Sequence, residues 1–365
     1  MKKQLLYLIL GLFFNLNAYS TYLSETGNDD LINDGPYIFN VNNEFVVKWV
    51  ENNSAREDFV TADNFPGIKK KFKLLFNYDD LKQDNLPEHE NKQCYTRVDS
   101  IGIITDIHGE YKTYLNLLKA MGIIDRSLNW KFGRGHLVVI GDTFDRGDMV
   151  TEVLWHLFGL EKQAAAAGGQ VHVLLGNHEF MIFNKNLNFI SDKYRTVEAI
   201  TNMHYYDLYS TSSVLGKWLR SKPVIITIND IIFVHAGISM EMVQRKLTIN
   251  QINRRFANSI ARNDAGLIYN DEELAFLYRN KGPIWYRGYF NEPDFYESRL
   301  DSILDFYKKE HIVIGHTPNE GIISLFNTKI LGADTGIMYK QPEETLMYKN
   351  GYFYKVSLKG TRIKI

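Results

Sequence analysis

Between Gly141 and Asp148 the chain reads Gly-Asp-Thr-Phe-Asp-Arg-Gly-Asp, three carboxylates and an arginine set between and beside two glycines. Like charges so close repel unless a cation or an anionic ligand takes up their field, so the stretch suits a metal site better than a plain turn. The apolar run Leu137-Val138-Val139-Ile140 precedes it and a helix-like segment starts at Met149, which puts it at the carboxyl end of a buried strand, where open α/β sheets hold ligands. The same grammar recurs on either side. Ile101 to Thr105 runs into Asp106-Ile107-His108-Gly109-Glu110, and Val171 to Leu175 runs into Gly176-Asn177-His178-Glu179. Two further apolar runs end in isolated histidines, His235-Ala236-Gly237 and His316-Thr317-Pro318. Together these strand ends present Asp106, His108, Asp142, Asn177, His235 and His316, a nitrogen and oxygen donor set suited to Mn, Fe or Zn.

The elements that must position these side chains follow from periodicity. Tyr111 to Gly122 places Leu115, Leu118 and Met121 on one helical face and stops at a glycine, and Met149 to Gly168 repeats helical spacing up to a Gly-Gly pair. Strand, loop and helix thus alternate from Ile101 to Val173, the pattern of βαβ units. Two stretches, near 180–222 and 240–280, are helical in pattern and are expected to be insertions rimming the site. The first is rich in tyrosine (Tyr194, Tyr205, Tyr206, Tyr209), expected to pack and not to cage a substrate. From Ile322 onward short runs at Ile330-Leu331, Ile337 to Tyr339, Thr345 to Lys349, Tyr352 to Val356 and Arg362 to Ile365 predict antiparallel strands and hairpins. The expected core is an α/β fold, a two-sheet β-sandwich flanked by helices, over 98–365.

Residues 21–97 are more polar. Two β-like runs, Pro36 to Phe39 and Phe45 to Val50, flank Asn42-Asn43, which is hairpin chemistry, and the segment is expected to be an extension packed on the catalytic domain. Residues 1–20 have the layout of a secretory signal: Lys2 and Lys3, the apolar run Leu5 to Phe14, then Ala18-Tyr19-Ser20. The run falls short of the ~20 residues a spanning helix needs, so a periplasmic or secreted protein without stable membrane insertion is expected. Lys+Arg 42 against Asp+Glu 43 gives a net charge of -1, which offers nothing to nucleic acid. The single cysteine, Cys94, excludes an intrachain disulfide.

Asp-x-His-Gly, Gly-Asp-x-x-Asp-Arg-Gly, Gly-Asn-His-Glu, His-Ala-Gly and Gly-His-Thr-Pro, in that order, resemble the calcineurin-like metallophosphoesterases, and the Asp-Arg-Gly form is similar to their phosphoprotein phosphatase branch. Asp34-Gly35-Pro36-Tyr37, Trp285-Tyr286-Arg287-Gly288 and Gly332-Ala333-Asp334-Thr335-Gly336 further resemble the Shewanella-like protein phosphatases. The resemblance implies two divalent or mixed-valence metal ions (Mn, Fe or Zn) per chain. Asp106 and His108 would hold the first, Asp142 would bridge both, and Asn177, His235 and His316 would hold the second. A hydroxide between the metals would be the nucleophile, its pKa lowered toward ~7. His178 is left to protonate the departing oxygen with Asp145 orienting it, and Arg146 and Arg287 suit a clamp on phosphate oxygens. Asp334 suits either an orienting role or a turn. The implied substrate is a phosphorylated protein or peptide, on tyrosine or on serine/threonine, or a small phosphate ester. The runner-up is a small-molecule or dinucleoside polyphosphate hydrolase, and the third reading is a catalytically silent binding module. Thr105 stands where the first motif usually has glycine, and the Ser-Ala-Pro-Asn-Tyr loop is absent, so no regulatory subunit is predicted.

Overall fold

The computed structural model describes residues 31–82, 93–262, 270–339 and 344–365, so the expected signal segment lies outside the described residues. Strands β1 (Asp34–Val41), β2 (Glu44–Glu51) and β3 (Ser54–Val60) form an antiparallel sheet of their own, followed by helix α1 (Phe65–Phe72). Its turns are built by Asn42-Asn43 and Asn52-Asn53, all at positive φ, the conformation two-residue hairpins demand and asparagine tolerates. Only the first of these hairpins was expected, because β3 (Ser-Ala-Arg-Glu-Asp-Phe-Val) is almost wholly exposed and carries no apolar alternation.

Next come β4 (Cys94–Tyr95), β5 (Ser100–Ile104), helix α2 (Tyr111–Met121), β6 (His136–Val139), α3 (Val150–Ala166) and β7 (Gln170–Val173). Then come α4 (Asn177–Phe183), α5 (Asp192–Thr201), α6 (Tyr205–Leu208) and α7 (Val214–Arg220), the last three within the stretch expected to be helical near 180–222. After β8 (Ile225–Ile228) and β9 (Ile231–Val234), the stretch near 240–280 holds α8 (Met240–Gln244), α9 (Ile249–Arg262) and α10 (Glu272–Leu277). The chain closes with α11 (Gly288–Asn291), α12 (Glu297–Tyr307), β10 (His311–Ile314), β11 (Ile323–Leu325), β12 (Ile330–Gly332), β13 (Glu344–Lys349), β14 (Tyr352–Ser357) and β15 (Arg362–Lys364).

The strands assemble into two six-stranded sheets, ordered β11-β12-β10-β9-β8-β4 and β15-β14-β13-β5-β6-β7. A period of two divides their side chains between two cores. Ile101, Ile103, Val138, Ile140, Phe233 and Val313 face one another between the sheets. Their neighbours Ile104, Leu137, Val139, Val234, Ile312 and Ile314 face the helices outside. Burial on both faces explains why these strands read as unbroken apolar runs. On α2 the buried face is Tyr114, Leu117, Leu118 and Met121, with Leu115 only half-buried, and Gly122 ends the helix at φ 79.

Three expectations at the chain's ends need correction. β12 pairs parallel with β10, Val313 opposite Leu331, and antiparallel only with β11. Ile337–Tyr339 is a single 3₁₀ turn directly after Gly336 (φ 68), closed by Tyr339 N donating to Gly336 O at 2.8 Å. The sandwich also takes in Cys94 and Tyr95, which pair parallel with Thr227 and Ile228, ahead of the boundary drawn at 97. The small N-terminal sheet is fastened to the rest of the fold by side chains of α3 and by the backbone just ahead of α7. Trp155 donates to Pro36 O at 2.7 Å, Asn40 N donates to Ser212 O at 2.8 Å, and the rings of Phe76 and Trp155 stack at 5.2 Å.

Candidate metal centre and active site

The parallel strands β5, β6, β7, β9 and β10 all point their carboxyl ends at one rim of the sandwich, so the loops that leave them converge. Convergence needs tight turns. Asp106, His108, Asp142, Asp145, Arg146 and His316 all adopt left-handed backbone conformations, with φ of 50, 46, 55, 70, 68 and 65. Non-glycine residues seldom sit there, and such positions cluster at functional sites. The loops also approach closely. A Cβ on Gly176 would collide with the Asp142 carboxylate and lie 2.9 Å from Asp142 N, so only glycine lets the β6 and β7 loops touch.

Asp142 lies at the centre. Its Oδ2 is 3.3 Å from His235 Nε2 and 3.8 Å from both His108 Nε2 and His178 Nε2. Two three-residue sets therefore share it: His108, Asp142 and His178, and Asp142, His235 and His316, each with donor atoms within 4.8 Å of one another. Asn177 Oδ1 adds a contact to His235 Nε2 at 3.0 Å. Asp106 stands outside both sets; its Oδ2 accepts from Thr105 Oγ1 at 2.5 Å and from His316 N at 2.9 Å, tying the first loop to the last. All six of these predicted ligands are buried.

The donor set fits metal ions. His108 Nδ1 and His235 Nδ1 each sit 2.7 Å from a backbone carbonyl, Phe144 O and Ile140 O, which can only accept, so the lone pair of each neutral ring is at Nε2, on the Asp142 side. His316 Nε2 is buried and lacks a hydrogen-bond partner. Burial lowers the His108 pKa to about 3, and burial together with His235 lowers that of His316 to about 2, so both stay neutral donors. His235 is the opposite case, because Asp142 and Asp106 overcome burial and raise it to about 10. Asp142, though desolvated, is held well below its ordinary value by the surrounding histidines. The cluster draws positive charge to the Asp142 carboxylate, which a proton or a metal ion can supply.

His178, on the other side of its ring, also pairs with Asp145, Nδ1 to Oδ2 at 2.5 Å. Burial opposes the charged ring, but Asp142 and Asp145 outweigh it and raise the His178 pKa, favouring the protonated form. Glu179 received no role from sequence alone. Wholly buried, its carboxylate accepts from Asp142 N (2.9 Å), Thr143 N, Thr143 Oγ1 and Gly176 N (2.7 Å each), and so locks the β6 loop to the β7 loop. The available signal was its place three residues into a helix behind Gly176, where a carboxylate caps backward.

A sequence profile of the calcineurin-like phosphoesterases matches residues 100–320. The chain belongs to that family. It is 29% identical over 298 residues to Shewanella-like protein phosphatase 1 of Plasmodium berghei, covering 77% of this chain and 80% of that one. Among solved structures it superposes on the cold-active protein-tyrosine phosphatase of a psychrophilic Shewanella species with a TM-score of 0.81 and 34% identity, over 91% of this chain and 99% of that chain. A symmetrical bis(5'-nucleosyl)-tetraphosphatase of Buchnera aphidicola is 30% identical over 145 residues, which is 38% of this chain and 45% of that one.

At the mouth of the phosphoesterase site stand the two predicted arginines. Arg146 is exposed, with its guanidinium 5.3 Å from the Phe189 ring, and Arg287 is half-buried, with Nη1 3.2 Å from Thr317 Oγ1. Asp334 is buried and accepts from Gly336 N at 2.9 Å while its own carbonyl accepts from Asn319 N, and burial together with the nearby Asp106 carboxylate raises its pKa, so it both shapes a turn and borders the site. Of the histidines outside the motifs, His136 and His172 bond each other at 2.9 Å within the sandwich, His311 bonds Thr328 O, and His204 is largely exposed; His89 lies outside the described residues. Tyr194, Tyr205 and Tyr209 are buried against one another, and Tyr209 packs with Tyr37 and with Phe144 of the β6 loop, so these rings are core.

Proposed function

We propose that the chain is a dinuclear metal-dependent phosphomonoesterase acting on phosphorylated protein. The observation that carries this reading is the buried Asp142 carboxylate ringed by His108, His178 and His235, with His178 also paired to Asp145. Asp106, His108, Asp142, Asn177, His235 and His316 would hold two ions of Mn, Fe or Zn. Bound there, such ions supply Lewis acidity to phosphoryl oxygens and a water of lowered pKa. The protein's own groups do the rest. Arg146 and Arg287 grip phosphoryl oxygens from the mouth, orienting the ester. His178 holds a proton for the departing oxygen at Nε2, and Asp145 fixes the ring by accepting from Nδ1.

The choice of protein over small-molecule substrate rests on extent of likeness. The protein-tyrosine phosphatase resembles this chain over nearly its whole length, whereas the tetraphosphatase does so over about two fifths. A silent binding module has no use for a complete donor set. We place the enzyme in the periplasm or outside the cell, on the pattern of Lys2-Lys3, Leu5 to Phe14 and Ala18 to Ser20, with the mature chain starting near Thr21. Metal analysis of the purified protein and its assay against phosphopeptides, nucleotides and diadenosine tetraphosphate form the test. Two metals per chain and turnover of phosphopeptides are expected; selective turnover of the tetraphosphate would overturn the substrate assignment.

A further inference from the structure

Single exposed aromatic side chains are common on protein surfaces and by themselves mean little. Phe189 differs in what it touches and in how it is held. It is 42% exposed, yet its ring centroid lies 5.5 Å from that of His178 and 5.3 Å from the guanidinium carbon of Arg146. Its backbone is fixed from both directions, since Phe189 O accepts from Arg146 N at 2.9 Å and Ile190 is buried in the core. Just upstream, Leu187 O accepts from Arg195 at 3.1 Å, and Asn188 N donates to Asn186 Oδ1 at the same distance. The segment thus presents an apolar ring to solvent from a pinned main chain, at the corner shared by the phosphate-binding arginine and the leaving-group acid.

That corner has a chemical meaning. A phosphoryl group gripped by Arg146, with its ester oxygen facing His178, must send the rest of the alcohol past whatever flanks both residues. Trp285 is not placed for this, because it packs edge-on to His316 at 5.6 Å, on the side of the second histidine set. From the phosphatase reading above, on which this inference rests, we infer that Phe189 is a specificity-determining wall for the leaving group and selects an aryl phosphate, phosphotyrosine, over the alkyl phosphates of serine and threonine. A phenol ring stacks against or edges into the Phe189 ring, burying apolar area on both, whereas the single methylene of phosphoserine covers little of it. The expected result is discrimination in kcat/KM between leaving groups, with phosphate recognition left to the arginines.

The test uses the metal-loaded full chain and paired peptides of one sequence carrying phosphotyrosine or phosphoserine at the same position, with competitive inhibition by inorganic phosphate as a reference for Arg146. Phe189→Ala is expected to lower the phosphotyrosine to phosphoserine ratio of kcat/KM about tenfold while the phosphate inhibition constant stays within about twofold. Phe189→Leu, which keeps apolar bulk but no ring, is expected to fall between and guards against misfolding of the alanine variant. An unchanged or raised ratio in both variants overturns the inference. So does an equal loss on both peptides accompanied by weaker phosphate inhibition, which would make Phe189 a prop for Arg146. A wild-type protein that hydrolyses neither peptide instead overturns the protein phosphatase reading itself.

Discussion

At the scale of single residues, the division of labour within the site follows from which atoms are already committed. His108 and His235 spend Nδ1 on backbone carbonyls and keep Nε2 for the Asp142 side, whereas His178 spends Nδ1 on Asp145 and stands near Arg146, the residue proposed to grip phosphate. A proton donor matters most where the departing oxygen is most basic. His178→Asn is therefore expected to cost on the order of 10²–10⁴ in turnover on phosphoserine peptides, less on phosphotyrosine, whose phenol has pKa about 10, and least on nitrophenyl phosphate. Metal content is expected to be retained, as measured by elemental analysis. Equal losses on all three substrates would assign His178 to holding phosphate. Most of the candidate ligands were legible in the sequence because each lies within a few residues of the end of an apolar run, and the runs fix their direction. Glu179 and Phe189 were not, since their roles depend on two loops distant in sequence meeting in space.

At the scale of elements, the loop that carries Asp142, Asp145 and Arg146 is fastened to the N-terminal sheet. Lys193, on α5, pairs with the buried Asp34 of β1 at 2.6 Å and donates to Asp148 O at 2.6 Å, while Tyr194 hydroxyl accepts from Val150 N at 2.7 Å. Tyr37 hydroxyl and Thr151 also face the Asp34 carboxylate. Breaking such a pair leaves a charge buried without its partner, so Lys193→Met is expected to destabilise the protein by about 3–5 kcal/mol, and adding Asp34→Asn is expected to restore part of that. Urea unfolding of the three proteins measures it; additive losses in the double variant would show that the two side chains are not coupled. Sequence periodicity found β1 and β2 but missed β3, whose exposed edge position imposes no apolar alternation, and it read Ile337 to Tyr339 as a strand because a short apolar run does not distinguish a strand from a turn.

At the scale of the whole molecule, stability depends on groups that must stay neutral inside. His156 Nε2 lies 3.0 Å from Leu128 O and Nδ1 lies 2.9 Å from the Tyr114 hydroxyl, a set satisfied by the neutral ring, and burial lowers its pKa from 6.5 to about 4. Between those values the unfolded chain takes up a proton that the folded chain refuses, so stability is present above pH 6.5 and is lost as pH falls toward 4, by about 1.4 kcal/mol per pH unit. His156→Gln is expected to flatten the slope of unfolding free energy against pH in that window, and an unaltered slope would remove His156 as its source. The left-handed residues of the rim set the opposite demand. For a residue other than glycine, asparagine or aspartate that conformation costs roughly 1–2 kcal/mol, so His108, Arg146 and His316 at one rim oppose folding in order to converge there. Folding and catalysis are then in conflict within this chain: selection for heat resistance alone would erode the rim first. Arg146→Asn, which gives up an exposed side chain and its contact with the Phe189 ring, is expected to raise the melting temperature of the metal-free protein by about 1–3 °C while weakening phosphate binding. A lower melting point would mean that the rim's turns are no burden, and that the same chain could be made more stable without giving up its chemistry.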